Sequence, residues 1–373
     1  MSCEFRLLDE NYVFNDDIQL TATSGDPNFP VSNLQKHFRS KTWRSSGNFK
    51  INSTNNKIDF KEASLGPTLT ATISTSQYTV ANLESEIQNQ LNAVGASNYT
   101  VSYSESTGLW TITSDGAYFD LLFLSGPNTA NSFAPVIGFN VLDETGALTY
   151  EGAKIACHTE EAVVFDLAVT SPVDSFAFFF DPMSGIKFSD NAVLKLQASA
   201  TNVWNAPPVD ITLSIDSRYL ACSHFFTTTQ NYRFWRLKIV DPQNPYLYVE
   251  VSKVSLALAT KLSQGPEIGF KAIVDDLTKK SSTPYGNDYF DLYPFRKRFD
   301  FTFAYLENSD VLELERIFLE VGNVTPIVIS LDSTEELFDK DRFLGYGRFP
   351  EAFQPAHKFL NNFDVPLKFE EAN

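Results

Sequence analysis

The chain has 373 residues and a net charge of −17, with 46 acidic side chains against 29 basic ones. That balance makes nucleic acid a poor partner, because binding to a phosphate backbone rests on Lys and Arg displacing counterions. The length asks for two or three domains, and 33 Phe, 15 Tyr and 4 Trp against 2 Met lean the composition towards strands.

The opening segment MSCEFRLLDENYVF places acidic residues before any apolar run, unlike a signal peptide. No stretch approaches the roughly 20 apolar residues of a transmembrane helix, so no membrane span is expected. Cys3, Cys157 and Cys222 lie too far apart for a disulfide framework or a metal-ligand pattern, and are expected as reduced, small apolar residues. The first strong helix signal is YTVANLESEIQNQLNAVG. Thr79 is placed to cap it, Val80, Leu83, Ile87, Leu91 and Val94 recur at spacings of three and four, and Gly95 stops it.

Beyond this helix, period-two alternation dominates, at NYTVSYS, GLWTITS, AVVFDL, SFAFFF, VLKLQAS, ITLSI, YRFWRLKIVD and YLYVEVSKVSLAL. In YRFWRLKIVD, Trp235, Leu237 and Ile239 are predicted to face a core, with Arg233, Arg236 and Lys238 turned away. In FDFTFAY, Phe299, Phe301, Phe303 and Tyr305 are predicted to share one buried face. A second helix is predicted in NSDVLELERIFLEVGN, with Asp310 and Glu313 as a capping pair, Leu314, Ile317, Phe318 and Val321 on one face, and Gly322 as the stop. The polar stretch around Gly265-Pro266 marks a boundary near residue 262. A helix flanked by hairpins between residues 52 and 158 reads as an insertion into helix-free surroundings.

The segment SGDPNFPVSNLQKHFRSKTWRSSG carries Pro30, the Asn33-Leu34 pair and Trp43-Arg44, and resembles the opening of a discoidin-like, galactose-binding-type jelly roll of phage tail proteins. The strand that should come next appears only at Val163-Val164-Phe165-Asp166-Leu167, and the remaining pattern then runs in order to the Asp241-Pro242 turn and beyond. The resemblance implies a mainly β chain. A sandwich is built from residues 1–50 and 160–260, an α+β domain is inserted at 51–159, and an α+β tail-assembly domain occupies 262–373. It further implies a structural component of a phage tail tip or baseplate, on a virion tail assembled in the host cytoplasm. Its partners would be other tail proteins and copies of itself in a ring. The alternative is a carbohydrate-binding module that contacts a host surface glycan.

Catalysis needs converging groups, and few are visible. His37, His158, His224 and His357 stand in four unrelated contexts. The carboxylates at Asp288 and Asp291, or at Glu335, Glu336, Asp339 and Asp341, show no spacing that specifies glycoside hydrolysis. No enzymatic activity, cofactor or metal is expected. If the sandwich takes a sugar, Trp43, Arg44, Trp204 and Asn205 are the loop residues to supply stacking and hydrogen bonds, although in this sandwich type Trp43 more often belongs to the core. The aromatic stretch PYGNDYFDLYPF and the FRKR cluster after it are the candidate protein interface: Tyr285, Tyr289, Phe290, Tyr293 and Phe295, with Arg296 and Arg298 as a charged rim against an acidic neighbouring subunit. A core-facing irregular strand is the competing reading of the aromatics.

Overall fold

A computed structural model describes residues 4–372 apart from 46–48, 105–106, 155, 157–159, 217, 242–243, 245, 247, 268, 283–287 and 334–339. The chain is mainly β, as expected, with three cores and a fourth apolar seam that joins two of them.

The sandwich is organised by two long antiparallel strands, Glu161–Phe179 and Ala221–Val240. Register shifts at Asp166/Ser171 and Val173/Ser175 let these strands bend, which a continuous ladder resists. Trp235, Leu237 and Ile239 are buried as the alternation predicts. Arg233 lies outside, paired with Asp166 at 2.6 Å, and Lys238 pairs with Glu160 at 3.0 Å. Trp43, Phe165, Phe176, Phe178 and Val251 complete one continuous core.

The inserted domain has its own core around Trp110, Phe60 and Tyr99. Helix α1, Val80–Val94, buries Leu83, Ile87 and Leu91 against it, and the Thr79 side chain caps it by accepting from the Asn82 N–H. Gly95 is the C-cap, its N–H donating to the Leu91 carbonyl.

The C-terminal sheet has eight strands among the described residues and holds the chain's first strand one place in from its edge. Arg6–Leu8 pairs with Thr260–Lys261 on one side and with Ile327–Ser330 on the other, so this short segment belongs to the C-terminal sheet and not to the sandwich. Helix α2, Asn308–Val321, packs Val311, Leu314 and Ile317 onto the sheet. Two local expectations fail here. Asp310 does not cap α2; its carboxylate accepts from the Ser263 N–H and hydroxyl instead, and Glu307 occupies the cap position. Tyr305 leaves the buried face of strand Arg296–Glu307, because a bulge between Phe303 and Leu306 turns its φ to 60° and hands the inner position to Leu306.

The sandwich and the C-terminal sheet are packed face to face. In strand 175–179 the side chains of Phe176 and Phe178 enter the sandwich core, while Ala177 and Phe179 enter the seam with Leu8, Val328, Leu344 and Tyr346. A strand covered on both faces reads as a continuous apolar run, which is what SFAFFF is. Two buried arginines cross the junction. Arg6 donates to the Asp174 carbonyl and the Ser175 hydroxyl at 3.2 Å each, and Arg39 donates to the Phe180 carbonyl at 2.7 Å and pairs with Glu371 at 3.4 Å.

Candidate functional site

The four candidate sugar contacts do not converge. Trp43 sits in the short strand Trp43–Arg44, which pairs with Glu250–Val251. It is fully buried, and its indole N–H donates to the Ser24 carbonyl at 3.2 Å, so it cannot touch a ligand from solvent. The Arg44 guanidinium donates twice to Glu250 Oε2, at 2.9 and 2.8 Å, and lies between the rings of Phe29 and Tyr248 at 3.9 and 4.3 Å. Its fork and both faces are thus engaged inside the protein. The Trp-Arg pair is architecture.

Trp204 and Asn205 are placed differently, on the loop between strands Val193–Ser199 and Val209–Leu213. Trp204 is half-buried and Asn205 exposed. The Trp204 indole N–H donates to Asn202 at 2.8 Å, where a φ of 55° turns the loop back on itself. Arg236 stands over the Trp204 ring at 4.5 Å and donates to Gln197, which in turn donates to Asp210 at 3.0 Å. This gives one aromatic ring beside amide, guanidinium and carboxylate groups on the outer face of the sheet. The chain order of the loop residues was visible, but their separation from Trp43 was not.

The interface candidates do gather in space. Strands Lys279–Ser282 and Asp288–Asp291 form a hairpin, every described residue of which is exposed. Tyr289, Phe290, Leu292, Tyr293 and Phe295 are between 46% and 76% exposed, which removes the reading of a core-facing strand. Tyr285 lies outside the described residues. Beside the hairpin, strand Lys271–Asp275 forms the edge of the C-terminal sheet, with Val274 also exposed. Clustered exposed apolar groups next to a sheet edge are the usual mark of a contact surface.

The expected charged rim is corrected. Arg296 pairs with Glu370 at 3.1 Å and Arg298 with Asp275 at 3.3 Å, so both cations are neutralised within the chain, on one face of strand Arg296–Glu307. Lys297, between them, projects to the opposite face with Phe299, Phe301 and Phe303. The period-two rule carried that signal, and choosing the two arginines over the lysine missed it.

The remaining ionisable groups are scattered. Among the described residues no group of three or more His, Cys, Asp or Glu is placed to hold a metal ion, and no helix is long and apolar enough to cross a membrane. His158, Glu335, Glu336 and Asp339 lie outside the described residues. Asp288 pairs with Lys280 at 2.7 Å, and Asp341 is buried and accepts from the Ser223 hydroxyl at 2.6 Å.

No family model and no curated protein matches the chain. Among solved structures it is similar to the Clostridium perfringens module CpGH89CBM32-6, with a TM-score of 0.29 and 10% identity over 66% of this chain and 98% of that one. It is similar also to a family 32 carbohydrate-binding module from Clostridium perfringens in complex with galactose, with a TM-score of 0.30 and 9% identity over 68% and 98% of the two chains. A fucolectin from striped bass (Morone saxatilis) serum gives a TM-score of 0.27 and 8% identity over 80% and 71%. Likenesses this weak assign no ligand to this chain.

Proposed function

We propose that this chain is a non-catalytic assembly protein that docks to neighbouring subunits through the aromatic hairpin of its C-terminal domain. The observation that carries this reading is the row Tyr289, Phe290, Leu292, Tyr293 and Phe295, held out from the protein with no core to enter. Each such side chain gains about 1.5–3 kcal/mol when fully covered, so a partner surface is their natural environment. A tail tip or baseplate on a virion assembled in the host cytoplasm is the setting that the sequence resemblance supports, with other tail proteins as partners and a ring of copies around the tail axis.

The test is association in solution. Mass photometry at nanomolar and sedimentation velocity at micromolar concentration should show the parent forming a closed oligomer. The variant Tyr289→Ser/Phe290→Ser/Tyr293→Ser should stay monomeric with an unchanged melting temperature. A parent that is monomeric at tens of micromolar sinks the reading.

A second reading, glycan contact by the sandwich, is favoured by the half-exposed Trp204 ring beside Asn205 and Asp210. Galactose, the ligand of one similar module, and fucose are the sugars to titrate first. Loss of binding in Trp204→Ala supports this site; binding equal to the parent's removes it.

A further inference from the structure

The hairpin needs a counterpart, and one cavity has complementary chemistry. It measures about 360 Å³ and lies where the sandwich meets the C-terminal sheet, walled by Tyr219 and Leu220 on one side and by Ile273, Val274 and Phe295 on the other. Its charged lining is Arg39, Arg218, Lys297 and Arg342 against one carboxylate, Glu371.

Most of that charge is already balanced. Glu371 takes Arg39 at 3.4 Å and the Lys297 backbone N–H at 2.9 Å, and Arg218 grips Asp216. Two cations are left over. The Lys297 ammonium and the Arg342 guanidinium make no hydrogen bond or ion pair among the described residues; near them lie the Tyr219 ring at 5.4 Å and the Phe343 ring at 5.3 Å. Lys297 is half-buried at the end of a core-facing row, and desolvation holds its ammonium below the usual lysine range. Glu371 and Asp341 act on that ammonium through space, and neither forms an ion pair or hydrogen bond with it. A half-buried cation without a directly bonded anion is costly, and the cavity's apolar walls suit an anion with apolar neighbours.

The hairpin carries such a group. Asp291 ends strand Asp288–Asp291, is exposed, and makes no hydrogen bond or ion pair among the described residues, whereas Asp288 is engaged by Lys280 and Ser282. On either side of Asp291 stand Phe290 and Leu292, 57% and 76% exposed. Within one copy its ladder partner is Lys279, not Lys297.

We infer that the Phe290–Leu292 segment of one copy seats in the cavity of a neighbouring copy. Asp291 pairs there with Lys297 and Arg342, and Phe290 and Leu292 lie on the apolar wall. This rests on the assembly reading and names its partner as a second copy. Repeated head-to-tail, this contact produces a ring if the rotation closes.

Charge reversal tests the pairing on the full chain, by sedimentation velocity. Asp291→Lys and Lys297→Asp are each expected to weaken association at least tenfold, and the combined variant to regain most of the loss. Arg342→Glu, on an exposed side chain, repeats the test without touching the buried row, and its pairing with Asp291→Lys should recover in the same way. A parent that never associates overturns the assembly reading and this one together. Association that the swaps leave unchanged overturns the pairing alone, as does loss in the single variants without recovery in either combination.

Discussion

Residues 175–180, SFAFFF, and residues 289–295, YFDLYPF, are two dense aromatic runs, and they meet opposite fates. The first is covered on both faces, by the sandwich core and by the seam under the C-terminal sheet. The second is open to solvent along its length. The difference is one of neighbours. Strand 175–179 is hydrogen-bonded to strands on both sides, Ala221–Phe225 and Lys253–Ala257, and a second layer lies on each face. Strand Asp288–Asp291 has a single ladder partner among the described residues, Lys279–Ser282, and nothing stacked on it. Aromatic density therefore marks a surface that wants covering, and only the packing shows whether the chain covers it itself.

Four experiments put that contrast at risk. Phe179→Ala opens the seam beside Tyr346 and Arg39 and should cost about 3–5 kcal/mol in urea unfolding; a loss under about 1 kcal/mol would mean that the two layers hold without it. Arg39→Gln leaves Glu371 buried without its cation, and a loss of about 3 kcal/mol is expected by the same measurement.

Lys253 gives a pH signature of the buried region. Its ammonium donates to the Asn33 and Lys41 carbonyls at 2.8 and 2.7 Å, while burial first and the Arg39 charge second push its pKa down to about 7. An unfolded lysine titrates near about 10.4. Between these values the unfolded chain binds more protons than the folded one, so this group's contribution to stability rises from about pH 7 towards about pH 10. Melting temperatures across pH 7–9.5 should therefore climb more steeply for the parent than for Lys253→Met. Equal slopes would show that Lys253 stays charged in the fold. The smallest effect belongs to the open run: Phe290→Ser should change folding stability by no more than about 0.5 kcal/mol while weakening association.

How much was legible depends on the range of the interaction involved. Thr79, Leu83, Ile87, Leu91 and Gly95, each about one turn from the next, specify α1, and the structure places each as expected. The alternation of Trp235, Leu237 and Ile239 is equally local. Where one inserted residue shifts the phase, the pattern misleads, as Tyr305 shows at its bulge. The pairing of Arg6–Leu8 with Ile327–Ser330 joins segments more than three hundred residues apart, and no periodicity announces it. The Trp43-Arg44 pair was recognisable, yet its role turned on Glu250, Phe29 and Tyr248 closing around Arg44.

Residue order alone was enough for the element types, the insertion between the sandwich halves, and an aromatic run with the composition of an interface. Those depend on dihedral preferences and on which side chains alternate, both properties of neighbouring residues. It took the folded arrangement to establish that Trp43 is core, that Arg296 and Arg298 are spent on Glu370 and Asp275, and that Lys297 faces a cavity between domains. Burial and charge pairing depend on which distant segments arrive at the same place, and that is a property of the whole chain.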